Sequence, residues 1–62
     1  MPLIEVKAVE GRLEKDGTTE RLISALTDAA CGVFGEESRG DIWVVVEGVS
    51  PSRFGVGGRP LG

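Results

Sequence analysis

The sequence has no histidine and only one cysteine, Cys31. One cysteine cannot close a disulfide within the chain, and a zinc site built from cysteine and histidine has no ligand set to draw on. Cys31 also lacks an imidazole to activate it, so it reads as a small core residue rather than a nucleophile. A lone thiol of this kind fits a cytoplasmic setting. Aromatic residues make up 5% of the chain and the net charge is −3. Binders of single-stranded nucleic acid need a basic groove interleaved with aromatics, so nucleic acid is not an expected partner. No apolar stretch approaches the roughly 18 residues of a membrane span. No secretory leader precedes the first strand. A membrane partner is therefore not expected.

What is present is short. The 62 residues predict one domain, 1–62. A chain of about this length buries only roughly 60% of the surface its unfolded form exposes. Small scaffolds of this kind need a disulfide, a metal or a partner subunit. With the first two removed, oligomerisation is the expected stabiliser. The hydrophobic fraction of 40% is that of a globular chain rather than a disordered one.

Residues 3–9 alternate. Ile4, Val6 and Ala8 fall on one side, with Leu3, Glu5, Lys7 and Val9 on the other. Period two predicts a strand with one buried face. Gly11, within Glu10-Gly11-Arg12, marks its end, and Leu13 to Gly17 carries acidic residues suited to a helix start. From Thr18 to about Val33 the period changes. Leu22, Ile23, Leu26, Ala29, Ala30 and Val33 make one apolar stripe, which predicts a helix closed by Gly35. Glu36 to Asp41 is a polar connector. Ile42 to Glu47 is apolar and β-branched, as expected of a strand covered on both faces. Beyond it lies a Gly-rich tail with a turn at Pro51. Phe54-Gly55-Val56-Gly57-Gly58 within that tail predicts a short hairpin or loop that packs on another subunit.

Strand, helix, strand implies parallel strands joined by a right-handed crossover. The expected class is α/β (α+β), a β-α-β unit with a C-terminal Gly-rich hairpin. Two strands alone do not make a stable sheet, so strands from a second copy are expected to join them.

The start of the chain adds chemistry. Met1 precedes Pro2, a residue small enough to permit removal of the initiator. The freed Pro2 would carry a secondary amine at the head of the first strand. An α-amino group has an ordinary pKa of about 7.7–8.0, and apolar walls or a nearby cation lower it. A base tuned near the operating pH suits proton transfer.

Pro2, Glu10-Gly11-Arg12 after the first strand, and Phe54-Gly55-Val56-Gly57-Gly58 after the second resemble the 4-oxalocrotonate tautomerase family. Their order and spacing cover nearly the whole chain. The resemblance implies an isomerase of small unsaturated 2-hydroxy or 2-keto acids, with neither metal nor organic cofactor. It implies copies paired into four-stranded sheets and assembled as a homo-hexamer, a trimer of dimers. It implies Pro2 as the general base, Arg12 as an anchor for the substrate carboxylate, and Phe54 as an apolar wall. The pattern departs at one place. The family's second arginine, early in the second strand, aligns with Trp43, and a short insertion falls in the Glu36–Asp41 connector. Arg39, in that connector, and Arg53, beside Phe54, are the candidate substitutes; Trp43 is a candidate platform for substrate. The same proline chemistry extends to hydration or dehalogenation. A low-activity subunit of a mixed oligomer and a small binding module are the further alternatives.

Overall fold

Alternating apolar residues extend the chain from Leu3 to Val9, and this is strand β1. Glu10–Leu13 then tightens into a 3₁₀ turn. Helix α1 spans Thr18–Phe34, a second 3₁₀ segment spans Glu36–Asp41, and strand β2 spans Trp43–Val49. The 3₁₀ turn Pro51–Arg53 leads into the short strands β3, Gly55–Val56, and β4, Arg59–Pro60. The structure, a computed structural model, describes residues Met1–Gly62. No helix is long and apolar enough to cross a membrane.

The strands β1 and β2 pair in parallel, with Leu3 opposite Trp43 and Lys7 opposite Glu47. The β-α-β unit and its parallel sheet are as the sequence predicts. The glycine-rich tail forms an antiparallel β3–β4 hairpin. Its turn residues Gly57 and Gly58 have φ of 60° and 85°. Positive φ at both central residues is the geometry that matches strand twist in a two-residue hairpin, and glycine adopts it without steric cost.

Several boundaries differ from the sequence reading. The second strand begins at Trp43 and runs to Val49, while Ile42 closes the preceding 3₁₀ segment and is buried. The polar connector Glu36–Asp41 forms a 3₁₀ segment. The apolar stripe of α1 is also narrower than its periodicity suggested. Leu22, Leu26, Ala30 and Cys31 turn inward, but Ile23, Ala29 and Val33 are exposed. A helix of 17 residues lying on a two-stranded sheet has nothing to bury its flanks against.

The sheet has the same shortage. Ile4, Val6, Ala8, Val44 and Val46 are shielded on the α1 side. Leu3, Trp43 and Val45 are about half exposed on the other face. The near-continuous apolar run of β2, expected to be covered on both faces, is therefore covered on one within a single chain. Only Cys31 and Ile42 are buried. The radius of gyration is 14.1 Å, against about 11 Å for a compact chain of this length. The accessible surface is 4615 Å², roughly 800 Å² more than a folded monomer of this mass exposes. An excess of that size is about what one partner buries in a standard interface.

One polar cluster fixes the connector to the helix. The Arg39 guanidinium donates from Nε to Glu36 Oε1 at 2.6 Å and from Nη2 to Glu36 Oε2 at 3.2 Å. The same Nη2 lies 2.9 Å from Asp28 Oδ1 on α1. The hydrogen bond from Arg39 holds the Glu36 carboxyl below its ordinary pKa. Hydrogen bonds to Glu36 and then Asp28 raise the already high pKa of Arg39.

Two outcomes follow from this architecture. Sedimentation of the purified chain should give a multiple of its mass, and Val45→Asp, which puts a charge on the uncovered face, should shift it toward monomer and unfolding. A stable monomer in the parent chain would contradict the missing-surface argument. For Glu36 the pKa falls on folding, so its contribution is present above the ordinary value of 4.5 and fades as pH drops through the lowered one. Thermal melts should therefore show an acid-dependent loss in the parent chain that is smaller in Glu36→Gln.

Candidate active site

Pro2 heads β1 and is half-buried. Its carbonyl accepts a hydrogen bond from the Trp43 backbone N–H at 2.9 Å. This bond continues the parallel ladder one step beyond the strand, so Pro2 is held by backbone rather than by a side chain. Met1 lies outside the ladder. Its ammonium sits 3.4 Å from Asp41 Oδ2, with both groups largely exposed. While Met1 is attached, the Pro2 nitrogen is an amide and cannot take up a proton. Asp41 was not among the residues singled out from sequence. Its signal was present all the same: in a parallel pair, the residues just before β2 must lie beside those just before β1.

Trp43 shares this end of the sheet. Its side chain is 55% exposed on the face away from α1 and stands opposite Leu3 in the register. The N-terminal corner thus joins Pro2, Trp43 and Asp41 into one apolar and acidic patch.

The cationic and aromatic candidates are elsewhere. Arg12 sits in the 3₁₀ turn Glu10–Leu13 that leaves the far end of β1. That turn packs close over β2, where a Cβ on Gly48 would come 3.2 Å from Glu10 Cβ. Arg12 is exposed and forms no ion pair within the chain. Phe54 follows the turn after β2 and is half-buried. Its N–H donates to the Pro51 carbonyl at 3.2 Å, and its own carbonyl accepts from Leu61 at 2.8 Å. Arg53 lines two adjoining surface cavities of about 460 and 290 Å³, the first with Glu10 and Glu47, the second with Phe54 and Arg59.

The parallel sheet separates these groups. Seven strand residues at about 3.3 Å each place Pro2 more than about 20 Å from Arg12 along β1. One chain therefore brings Pro2, Trp43 and Asp41 together at one end and carries Arg12, Arg53 and Phe54 toward the other. Arg39 joins neither group, because its fork is occupied by Glu36 and Asp28.

Comparison with known proteins gives a consistent picture. The family model described as tautomerase enzyme matches residues 2–62. Probable tautomerases of Staphylococcus aureus strains Mu50 and MW2 are each 40% identical over 58 residues, covering 94% of this chain and 90% of theirs. Among solved structures, TomN superposes with a TM-score of 0.84 at 37% identity, over 97% of this chain and 88% of that one. TomN is described as a 4-oxalocrotonate tautomerase homologue in the tomaymycin biosynthetic pathway. A strand-headed proline, a β-α-β unit with a glycine hairpin, and full-length likeness in sequence and fold agree: the chain belongs to the tautomerase family, among its 4-oxalocrotonate tautomerase-like members.

Proposed function

We propose that the chain, once Met1 is removed, is a tautomerase of small unsaturated 2-hydroxy or 2-keto acids with Pro2 as its general base. The observation that carries this reading is the backbone bond from Trp43 N–H to the Pro2 carbonyl. It fixes the proline at the strand head whatever precedes it. The family match also begins at Pro2.

The separation of Pro2 from Arg12 sets the assembly. A second copy running antiparallel alongside the sheet presents its Arg12 end where the first presents Pro2. The half-empty sheet face and the surface excess support such pairing. A homo-hexamer built as a trimer of dimers satisfies these demands, with Arg12 and Phe54 supplied by neighbouring copies.

The chemistry then follows in two proton transfers. Pro2 nitrogen takes the proton from the 2-hydroxyl of a dienol. As that O–H bond breaks, its electron pair forms the carbonyl, and the displaced double-bond pair moves along the conjugated chain. Pro2 returns the proton to the carbon where that pair arrives, so the net change is isomerisation. Arg12 offers a planar fork matched to a carboxylate and draws negative charge toward it. Phe54 keeps the site apolar, which disfavours the ammonium form of Pro2 and strengthens the electrostatic stabilisation of the dienolate. Trp43 forms a flat wall on the Pro2 side. Arg39, already committed to two carboxylates, is the weaker candidate for a substrate contact.

A second reading rests on Asp41. A carboxylate at the same sheet end as the strand-heading proline could activate water for hydration of an unsaturated acid. A panel of enol acids and unsaturated acids separates the two, since ketonisation needs no water as a reactant.

The decisive measurement is ketonisation of 2-hydroxymuconate and phenylenolpyruvate, with intact mass determined on the same sample. The mass should correspond to a chain starting at Pro2. Pro2→Ala should lower kcat by about 10²- to 10⁴-fold, the usual contribution of a positioned base. Arg12→Ala should act mainly on KM, by about tenfold to a hundredfold, as for loss of a charge-assisted hydrogen bond. Turnover unchanged in Pro2→Ala would remove the proposal.

A further inference from the structure

The connector Glu36–Asp41 has no apolar side chain and no buried residue. Hydrophobic packing therefore cannot be what ties it to α1. Its backbone is a 3₁₀ segment, whose hydrogen bonds have poorer geometry than those of an α-helix. The bond from Ser38 Oγ to the Phe34 carbonyl is long, at 3.4 Å. The firmer tie is the Arg39 side chain. Its guanidinium takes both carboxylate oxygens of Glu36, at the start of the connector, and Oδ1 of Asp28, on α1. Three places in the chain thus meet on one planar fork, a geometry that suits arginine and not lysine.

The same residue leads to the amino-terminal corner. The Arg39 carbonyl accepts from the Ile42 N–H at 3.3 Å, and the next N–H, that of Trp43, donates to the Pro2 carbonyl at 2.9 Å. Only Gly40, Asp41 and Ile42 separate Arg39 from Trp43. The side chain of Arg39 is fixed to the helix while its carbonyl starts the short run of bonds that ends on Pro2. Trp43 is the first residue of β2, so no earlier rung of the ladder steadies it. A shift of the connector would carry Trp43 with it, and Pro2 would lose the backbone partner that places it.

We propose that Arg39 is a positioning residue: by clamping the connector to α1 it sets where Trp43 meets Pro2, and it acts on the amino-terminal base through that bond without touching substrate. This rests on the tautomerase reading above and replaces the substrate contact that the sequence suggests for Arg39. Both of its partners are largely exposed, and a single exposed ion pair contributes little to stability. Placement is a different demand. A base displaced by a fraction of its reach reacts from a poorer geometry even where the fold is intact.

The test is site-resolved amide hydrogen exchange on the chain with Met1 removed, followed by ketonisation kinetics. Val45 and Glu47, two and four residues beyond Trp43, direct their amides to β1 by the same alternation and serve as internal references. In Arg39→Gln, exchange at Trp43 should quicken by about threefold to tenfold, the range of one or two exposed ion pairs, with Val45 and Glu47 unchanged. Ketonisation should lose kcat by about tenfold at unchanged KM. The double variant Asp28→Asn with Glu36→Gln keeps the guanidinium and removes both its partners. It should reproduce both losses, whereas a guanidinium that binds substrate would be released by it and lower KM. Unchanged Trp43 exchange in Arg39→Gln, equal acceleration at all three amides, or a rise in KM at constant kcat would overturn the assignment. The exchange arm needs no turnover. The tautomerase reading fails by a different result, ketonisation unaffected by Pro2→Ala, so the two can fall independently.

Discussion

The parallel pairing of β1 with β2 governs everything else in this molecule. A crossover through α1 leaves both strands pointing the same way, so each end of the sheet gathers residues of one kind. The end where strands begin holds Pro2, Trp43 and Asp41. The end where they finish holds Arg12 and leads into the Phe54 hairpin. A hairpin fold would have placed strand starts and finishes together and allowed one chain to hold base and anchor side by side. A parallel unit of this size forbids it. On the proposed function, catalysis and assembly become the same problem, because the base of one copy would need the cation of another.

That constraint also explains why so little of the chain is buried. The helix covers one face of a sheet only two strands wide. Hydrophobic burial is the main source of folding free energy, and here half of the apolar pattern has no partner within the chain. Leu3, Trp43 and Val45 on the sheet, with Ile23 and Val33 on the helix, are exposed. Their patterning is regular rather than scattered, which is what surfaces made for burial look like.

Much of the fold was legible because period carries it. Leu3 to Val9 alternates, the Thr18 to Val33 stretch repeats every three or four residues, and each behaves accordingly. The misreadings have two origins. Ile42 sits next to β-branched residues and reads as strand, and its backbone is extended, yet its N–H donates to the Arg39 carbonyl at 3.3 Å instead of joining the ladder. Ile23, Ala29 and Val33 read as core because periodicity reports apolarity and not the presence of something to pack against. The candidate site was partly legible. Pro2, Arg12 and Phe54 could be picked out by motif, but nothing local revealed that they lie at opposite ends. Asp41 was missed because its position depends on register across the parallel pair.

The two contacts at the amino terminus differ in what they would survive. The Met1 ammonium reaches Asp41 through a charge–charge contact at a largely exposed position. Surface pairs of this sort contribute little, since water competes with them. The Pro2 carbonyl reaches Trp43 through a backbone hydrogen bond that continues the register of the strands. Removal of Met1 eliminates the first and leaves the second, because the second involves no atom of Met1. The new terminus would therefore appear on a residue already held in place, while Asp41 loses the only ion pair it makes. A carboxylate without its ion pair and a new amine would then lie at the same end of the sheet. On the proposed function, the corner that presents the base also holds an acidic neighbour, and a second copy would supply the balancing positive charge.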